Sequence, residues 1–405
     1  MRLIPRLGAP SLFRARGYLA VWLGAVGYSF GMWSQRVAVG WYVFDATDSA
    51  FITAGATAAA SAPAVFVGPI AGAIADRSPR PLILALAAVA NGLALAGIAL
   101  LAVLFKAPVA GILVLVTVGG VGRTFNLSAL HTLSGDLAGP ERRASAISLV
   151  SLGQRAVAAL GAVGSGLVIA YAGAATAFAL GVVAYALAAL AYRAAREPAE
   201  RRGRPAASLL ADTLEGLSLV TRFRMVALLL GLMVVAEVLG FSYDSLLPAL
   251  ADRVLAVGAS GLGGIVGAAG IGSVGGTLFL VITGDRVRHG RLFIGVLAAF
   301  GVLLVLLGSS SVYAVSLAIA AGIGACAAMV DALQWIMLQA SVPDHLRGRA
   351  LGAWNVAIGF GWIGPLALGA LADATSVGVS LSAAGSVLVA TGVLVALSSP
   401  RLRAA

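Results

Sequence analysis

The sequence predicts an all-α integral membrane protein whose twelve membrane-crossing helices form two similar six-helix halves. Three observations carry that expectation. Hydrophobic residues make up 60% of the 405-residue chain and charged ones only 11%, with a mean hydropathy of +1.01, a balance that excludes a soluble globule. The apolar residues are gathered into runs of about 20 or more, the length a helix needs to cross a bilayer. A charged turn containing Asp76-Arg77 returns 209 residues later as Asp285-Arg286, which splits the runs six and six.

Taken in order, residues 1–17 carry Arg2, Arg6, Arg14 and Arg16 and lead straight into a long apolar run. That run is too long for a signal peptide and has no small-residue cleavage site, so about 18–43 reads as a retained first helix. The second and third helices, about 51–75 and 82–104, flank the turn Gly72-Ala73-Ile74-Ala75-Asp76-Arg77-Ser78-Pro79-Arg80-Pro81. Pro79 and Pro81 stop one helix and start the next. Gly72 lets another helix approach closely. Asp76 sits at the partially negative end of its own helix, so it needs a cation, Arg77 or Arg80, or the N-terminus of a different helix. Runs at about 109–133, 144–170 and 174–193 complete an N-terminal bundle, 1–192.

The segment 193–224 is the longest polar interruption. It contains Pro198 and Pro205, and from Ser208 it becomes amphipathic, with Leu210, Leu214, Leu217 and Val220 at helical spacing. It reads as a cytoplasmic linker with a surface helix. The C-terminal bundle, 225–405, follows with runs at about 225–247, 260–283, 291–309, 312–338, 350–373 and 376–398. A second echo supports the repeat: Pro140-Glu141-Arg142-Arg143-Ala144 corresponds to Asp344-His345-Leu346-Arg347-Gly348-Arg349-Ala350.

Of the 27 Lys and Arg residues, 22 fall on the side that holds the N-terminus. The positive-inside rule therefore places both termini in the cytoplasm. The pI near 10.7 is a topology signal and calls for no nucleic-acid partner. Cys326 is the only cysteine, and His131, His289 and His345 are scattered near helix ends, so neither a disulfide nor a metal site is expected. Lys106 is the only lysine and no Gly-x-x-x-x-Gly-Lys-[Ser/Thr] run occurs, which argues against ATP hydrolysis. No cofactor is expected.

Six ionisable residues fall inside the apolar runs: Arg36, Arg123, Arg155, Glu237, Asp244 and Asp331. Charges in hydrocarbon are costly and mark a pathway or a pair. Arg36 and Asp244 occupy equivalent places in the repeat, near the external end of their helices, and Arg123 and Asp331 do the same toward the cytoplasm. Each pair joins opposite signs across the two halves. The expectation is that Arg36 and Asp244 close an outer gate and Arg123 and Asp331 an inner one, alternately. The alternative is that each charge snorkels or pairs within its own half. Glu237, near mid-bilayer, is a proton-coupling candidate together with Asp244 and Asp331; pairing with Arg155 is the competing role. Gln154, Asn126 and Gln334 supply polar lining, and Tyr28, Trp33, Phe241 and Trp335, with Tyr243, are candidates to stack on a ligand.

These residues resemble the major facilitator superfamily. Gly72, Asp76, Arg77 and Arg80 are similar to its signature loop, and Asp285-Arg286 with Gly290-Arg291 to the weaker second copy. Gln35-Arg36-Val37-Ala38-Val39-Gly40-Trp41, the stretch from Leu246 to Asp252, the stretch from Val257 to Gly263, and Val342 to Arg349 resemble the branch of bacterial exporters that includes enterobactin and macrolide efflux proteins. Two departures stand out. Gly161-Ala162-Val163-Gly164-Ser165-Gly166 lacks the proline usual in the antiporter motif, and Ser128 replaces a proline after the helix-four arginine.

The resemblance implies two bundles around a central cavity, with alternating access and no catalytic chemistry. It implies latches in which Asp76 reaches the helix N-terminus near Gly348 and Arg349, and Asp285 the one near Ala144, each holding the cytoplasmic side shut. The expected function is proton-coupled export of a small amphipathic, drug-like or siderophore-like molecule by a monomer in a prokaryotic cytoplasmic membrane. Its partners are then the small-molecule substrate, protons and the lipid bilayer. Import or facilitated passage of a small metabolite is the alternative on the same fold. A membrane enzyme is a remote third, since it needs carboxylates, His or Cys clustered at one depth.

Overall fold

The computed structural model describes residues 12–13, 17–105, 109–195, 222–284, 287–343 and 346–404. The expected linker helix, Asp285 and Arg286 lie outside the described residues, as does the Asp76 side chain. Every element among the described residues is helical. We number them α1 Tyr18–Thr47, α2 Ala50–Ser61, α3 Pro63–Arg77, α4 Arg80–Leu104, α5 Val109–Ala138 and α6 Arg143–Ala194. The second half holds α7 Arg224–Val235, α8 Gly258–Thr283, α9 His289–Ser309, α10 Tyr313–Ala340, α11 Arg347–Gly359, α12 Ile363–Ala374 and α13 Val377–Ser398. Ten helices among the described residues are long and apolar enough to cross a membrane. Their outward faces are bare Leu, Val and Ile, such as Leu93, Leu190, Ile271 and Leu397, the surface a lipid-solvated bundle presents.

Each break in the helices has a local cause. α6 is a 52-residue stretch broken at Gly173, whose φ of 81° places it in the left-handed region that glycine enters without strain. This is the boundary expected between the runs ending near 170 and starting at 174. α2 and α3 follow one run of sequence, but Pro63 has no N–H to offer the carbonyl four residues back, and the helix bends. Ser61 Oγ donates to the carbonyls of Thr57 and Ala58 at 3.0 and 3.2 Å beside the bend. α11 and α12 are likewise separated by a tight turn over Phe360–Trp362.

The largest departure from a regular helix lies between α7 and α8. Where hydropathy predicts an ordinary helix to about residue 247, the backbone runs through a wide turn over Ala236–Gly240, a tight 3-10 stretch over Phe241–Leu246, a short α turn at Leu247–Ala249 and a second wide turn over Leu250–Val254. Ser242 Oγ donates to the Glu237 carbonyl at 2.9 Å and Ser245 Oγ to the Ser242 carbonyl at 2.8 Å, so side chains add hydrogen bonds along this irregular backbone. Irregular backbone of this kind survives at membrane depth where it is enclosed by protein or lines a cavity. Glu237 and Asp244 both sit on it.

Packing is built from small residues and cross-helix hydrogen bonds. α1 is fastened to α6 by Tyr18 Oη to the Ala146 carbonyl at 2.8 Å, Trp22 Nε1 to Leu149 at 3.1 Å, Ser29 Oγ to Gln154 at 3.0 Å and Ser165 Oγ donating back to Ser34 at 3.0 Å. Two seams join N-terminal to C-terminal helices. Along α6 and α8, a Cβ placed on Gly263 would lie 2.8 Å from the Ala162 carbonyl oxygen and 3.0 Å from Gly166 Cα. Between α2 and α12, a Cβ on Gly369 would meet Ala54, Ala50 and Phe51 at 2.7 to 2.9 Å. Backbone this close requires glycine, and close approach is how helices gain dispersion contacts when lipid supplies no hydrophobic drive.

Candidate functional site

The six charges segregate by half: Arg36, Arg123 and Arg155 come from N-terminal helices, and Glu237, Asp244 and Asp331 from C-terminal ones. All six are half-buried. Arg36 Nη2 pairs with Asp244 Oδ2, and the guanidinium lies 5.2 Å over the Trp33 ring. The second expected pair is apart. Among the described residues no carboxylate lies within the 4.0 Å ion-pair distance of Arg123 or Arg155, and no cation that close to Glu237 or Asp331.

These unpaired groups still act on one another. Arg123 is within electrostatic reach of Arg36 and Glu237, Glu237 of Arg123, Asp331 and Asp244, and Asp331 of Arg155. Glu237 is the group on which most of the other charges act: Asp331, Asp244 and Arg123. Its carboxylate lies against α12's preceding turn, where a Cβ on Gly361 would be 2.9 Å from Oε2. Arg155, the competing partner for Glu237, is within electrostatic reach of Asp331.

Other candidates divide between lining and packing. Tyr28 is buried; Asn91 Nδ2 donates to its hydroxyl at 3.1 Å, and its ring meets Tyr185 edge-on at 5.2 Å. Asn126 is buried too and donates to Tyr192 Oη at 3.4 Å. Both therefore belong to the interior of the N-terminal helices. Phe241 packs edge-on against Phe300 at 5.9 Å, and Trp335, 37% exposed, against Trp354 at 5.7 Å. Gln154 and Trp33 are half-buried. Gln334, one turn beyond Asp331, is fully buried with neither amide atom hydrogen-bonded. A separate apolar recess of about 440 Å³ lies among Phe51, Ala58, Leu113, Trp362 and Leu366 and contains none of the charged candidates.

At the signature turn Gly72 is half-buried and Arg77 exposed. Arg80 Nη1 pairs with Asp136 Oδ2 at 2.6 Å, and Arg143 Nη2 stands 3.8 Å from Asp136 Oδ1. Asp136 is a partner the sequence reading missed.

The opposite end holds a larger omission. Asp373, at the end of α12, accepts from Ser49 Oγ at 2.6 Å and from the Ala50 and Phe51 amides, each at 2.9 Å. The N-terminus of α2 is thus capped by an anion from the other half of the chain, where the helix dipole favours negative charge. Arg253 bridges the contact, 3.3 Å from Asp373 Oδ1 and 3.0 Å from Asp48 Oδ1. A signal for Asp373 was present: Gly369-Ala370-Leu371-Ala372-Asp373 nearly repeats Gly72-Ala73-Ile74-Ala75-Asp76.

A multi-pass helical bundle that pairs Arg36 of an N-terminal helix with Asp244 of a C-terminal one fits a transporter, and the family match and the structural neighbours point to a transporter rather than an enzyme. The chain belongs to the Major Facilitator Superfamily, whose family model matches residues 21–365. A small-molecule substrate and embedding in a membrane follow from that membership. Among solved structures, the nucleoside transporter NupG aligns with a TM-score of 0.74 at 12% identity, covering 95% of this chain and 98% of that one. The POT family transporter PepTSo aligns at 0.73 and 11%, covering 96% and 98%. A mutant of the peptide transporter POT in complex with sulfate aligns at 0.70 and 15%, covering 95% and 94%. No curated protein matches the chain.

Proposed function

We propose that this protein is a proton-coupled secondary transporter that exports a small amphipathic molecule by alternating access, with twelve membrane crossings in two bundles, 1–192 and 225–405. The twelve are the ten long apolar helices, α1, and the extra arm that the Gly173 break makes of α6. One observation carries the reading: of the two opposite-charge pairs that the internal repeat sets in register, Arg36 with Asp244 is closed and Arg123 with Asp331 is open. A pair of gates used in turn has this asymmetry in any one state, because each contact contributes only to the state in which it forms. The Asp373 cap and the two glycine seams lie on the closed side, so the state is closed at the Asp48 end and, by the charge rule, faces the cytoplasm. Export rests on the likeness of the Gln35 to Trp41 and Val342 to Arg349 segments to bacterial efflux proteins, and proton coupling on Glu237. The location is a prokaryotic cytoplasmic membrane with both termini inside, and the working unit is a monomer.

The test uses the single native cysteine. In a Cys326→Ala background, one cysteine is placed at each mouth and its labelling by a membrane-impermeant maleimide is followed. Arg36→Asp is expected to expose the mouth beside Asp48, and Arg36→Asp combined with Asp244→Arg to close it again. Unchanged labelling in the single reversal would overturn the gate reading.

A further inference from the structure

The apolar recess of about 440 Å³ between α2, α5 and α12 has no part in the gates or in proton coupling. Its volume is that of a small-ligand site, about 300–1,000 Å³. The lining side chains are apolar apart from the Trp362 indole, so a charged or strongly hydrated molecule would give up its water there without replacement. The recess opens on the outer surface of the bundle: Phe51, at its mouth, is 44% exposed, and Phe360 and Ile363, which flank Trp362, are exposed as well. Each helix that forms it belongs to a span long and apolar enough to cross a membrane. The medium it opens on is therefore hydrocarbon.

Its length fits that medium. α2 lines it from Phe51, near the start of its span, to Ala62, where Pro63 breaks the helix. Those eleven residue steps, at about 1.5 Å each, cover about 16 Å. That is half of a hydrocarbon core about 30 Å thick, the depth of one leaflet. On the other side of the seam the turn Phe360–Trp362, just before α12, marks the same inner end. α5 lines the recess at Val109 and Leu113 and meets α2 again at Gly120, where a Cβ would collide with the Ala60 carbonyl and lie 3.1 Å from Pro63 Cγ. This contact closes the floor. The middle is open: nothing lies within 4 Å of a Cβ placed on Gly55. A void beside lipid forfeits dispersion contacts unless a chain fills it.

We propose that the recess seats one acyl chain of a phospholipid from the leaflet at the Asp48 end, and that this chain bridges the two halves. α2 and α5 supply its N-terminal side, Trp362 and Leu366 its C-terminal side. At its mouth Asp373 holds the same two halves together through the Ala50 and Phe51 amides. The bridging role rests on the alternating-access reading, in which opening the Asp48 end parts α2 from α12 and splits the recess. A chain that fits only the joined form favours that form by mass action. Bilayer lipid is then an effector of the closed end.

The experiment uses the full chain in phosphatidylcholine nanodiscs doped with a phosphatidylcholine that carries a diazirine near the end of one acyl chain. After irradiation the labelled residues are mapped by peptide mass spectrometry. Labelling at Ala58, Ala62, Trp362 and Leu366 is expected to exceed severalfold that on the bare faces around Leu93, Leu190 and Leu397. Gly55→Leu fills the recess without meeting backbone and is expected to lower this labelling to the level of those faces. Gly295→Leu adds the same side chain at an exposed α9 position, also with nothing within 4 Å, and should leave it unchanged. Labelling no higher than on the bare faces overturns the inference, and so does undiminished labelling in Gly55→Leu that elutes as a folded species. Arg36→Asp separates this inference from the reading beneath it. Where the maleimide finds the mouth beside Asp48 open, labelling at Trp362 and Leu366 is expected to fall severalfold, and undiminished labelling overturns the bridging role. A mouth that stays shut in that variant counts against the gate reading alone, since labelling of the recess in the parent chain does not depend on it.

Discussion

Removing the charge of Asp373 isolates the latch at the Asp48 end from the rest of the fold. Asp373→Asn keeps the side chain's shape but replaces one acceptor oxygen by a donor, so two backbone amides, Ser49 Oγ and Arg253 lose an anionic partner. Hydrogen bonds to a charged group contribute about 1.5–3 kcal/mol, and an anion at a helix N-terminus about 0.3–1 kcal/mol. Part is recovered: Ser49 still caps the helix by accepting from the Ile52 amide at 3.1 Å, and Arg253 keeps Asp48 at 3.0 Å. A net loss of about 2 kcal/mol remains, roughly a 30-fold shift in the closed-to-open ratio. A population of about 99 to 1 becomes about 3 to 1. Electron-electron distance measurements between spin labels flanking the Asp48 end, in a Cys326→Ala background, read this directly. A second, longer-distance population of about a quarter is expected. Asp48→Asn serves as the contrast, because its side chain is 82% exposed and an ion pair so open to water contributes little. A single unshifted distance in Asp373→Asn refutes the latch.

Gly263→Leu should force α6 and α8 apart, since a Cβ there already meets the Ala162 carbonyl oxygen at 2.8 Å; overpacking of this kind costs about 1–3 kcal/mol, and in a Cys326→Ala background disulfide formation between Ala159→Cys and Gly270→Cys, positions on the same seam where a Cβ on Gly270 would lie 3.1 Å from Ala159 Cβ, should fall accordingly. Exchanging the charges of Arg123 and Asp331 together should restore transport lost in either single reversal; a double variant no better than the singles removes that pair from the mechanism. Gly361→Ala pushes on the Glu237 carboxylate at 2.9 Å, so transport should change its dependence on an imposed pH gradient while the melting temperature stays near the parent's. Asp136→Asn removes the 2.6 Å partner of Arg80 and should lower the melting temperature by a few degrees without altering substrate binding.

Hydropathy located the membrane runs because burial in lipid depends on side-chain transfer, which adds up residue by residue. Gly173 separates two arms where the composition placed a boundary between 170 and 174. The same signal missed the bend at Pro63 and the irregular stretch from Ala236 to Val254. A π turn and an α turn can carry identical apolar residues, and only the register of backbone hydrogen bonds tells them apart. The contact between Arg36 and Asp244 was legible, since a two-fold repeat places equivalent positions opposite each other and opposite signs there attract. The partners of Arg253 and Asp373 were not, because no local pattern says which helix end from the other half arrives beside Ser49. Tyr28 and Asn126 show the converse: their polar groups suggested a ligand, and the interior hydrogen bonds with Asn91 and Tyr192 claim them.

The twin pentapeptides suggest why such a latch is tolerable in a molecule that must open. A contact that stabilised one closed end by about 2 kcal/mol with nothing to oppose it would hold the protein there, at a ratio of about 30 to 1. If Asp76, at the end of α3, closes on the N-terminus of α11 as Asp373 closes on that of α2, the two caps are the same chemistry at opposite ends. Each is lost when the other forms. Their contributions then cancel in the equilibrium between the two states, while either one still sharpens the closure it belongs to. Substrate or proton binding, with differential effects of a kcal/mol or two, is left to decide which end opens. Single neutralisation of Asp76 or Asp373 should tilt the resting state in opposite directions, and the double variant should return it toward the parent's balance with less sharply closed ends.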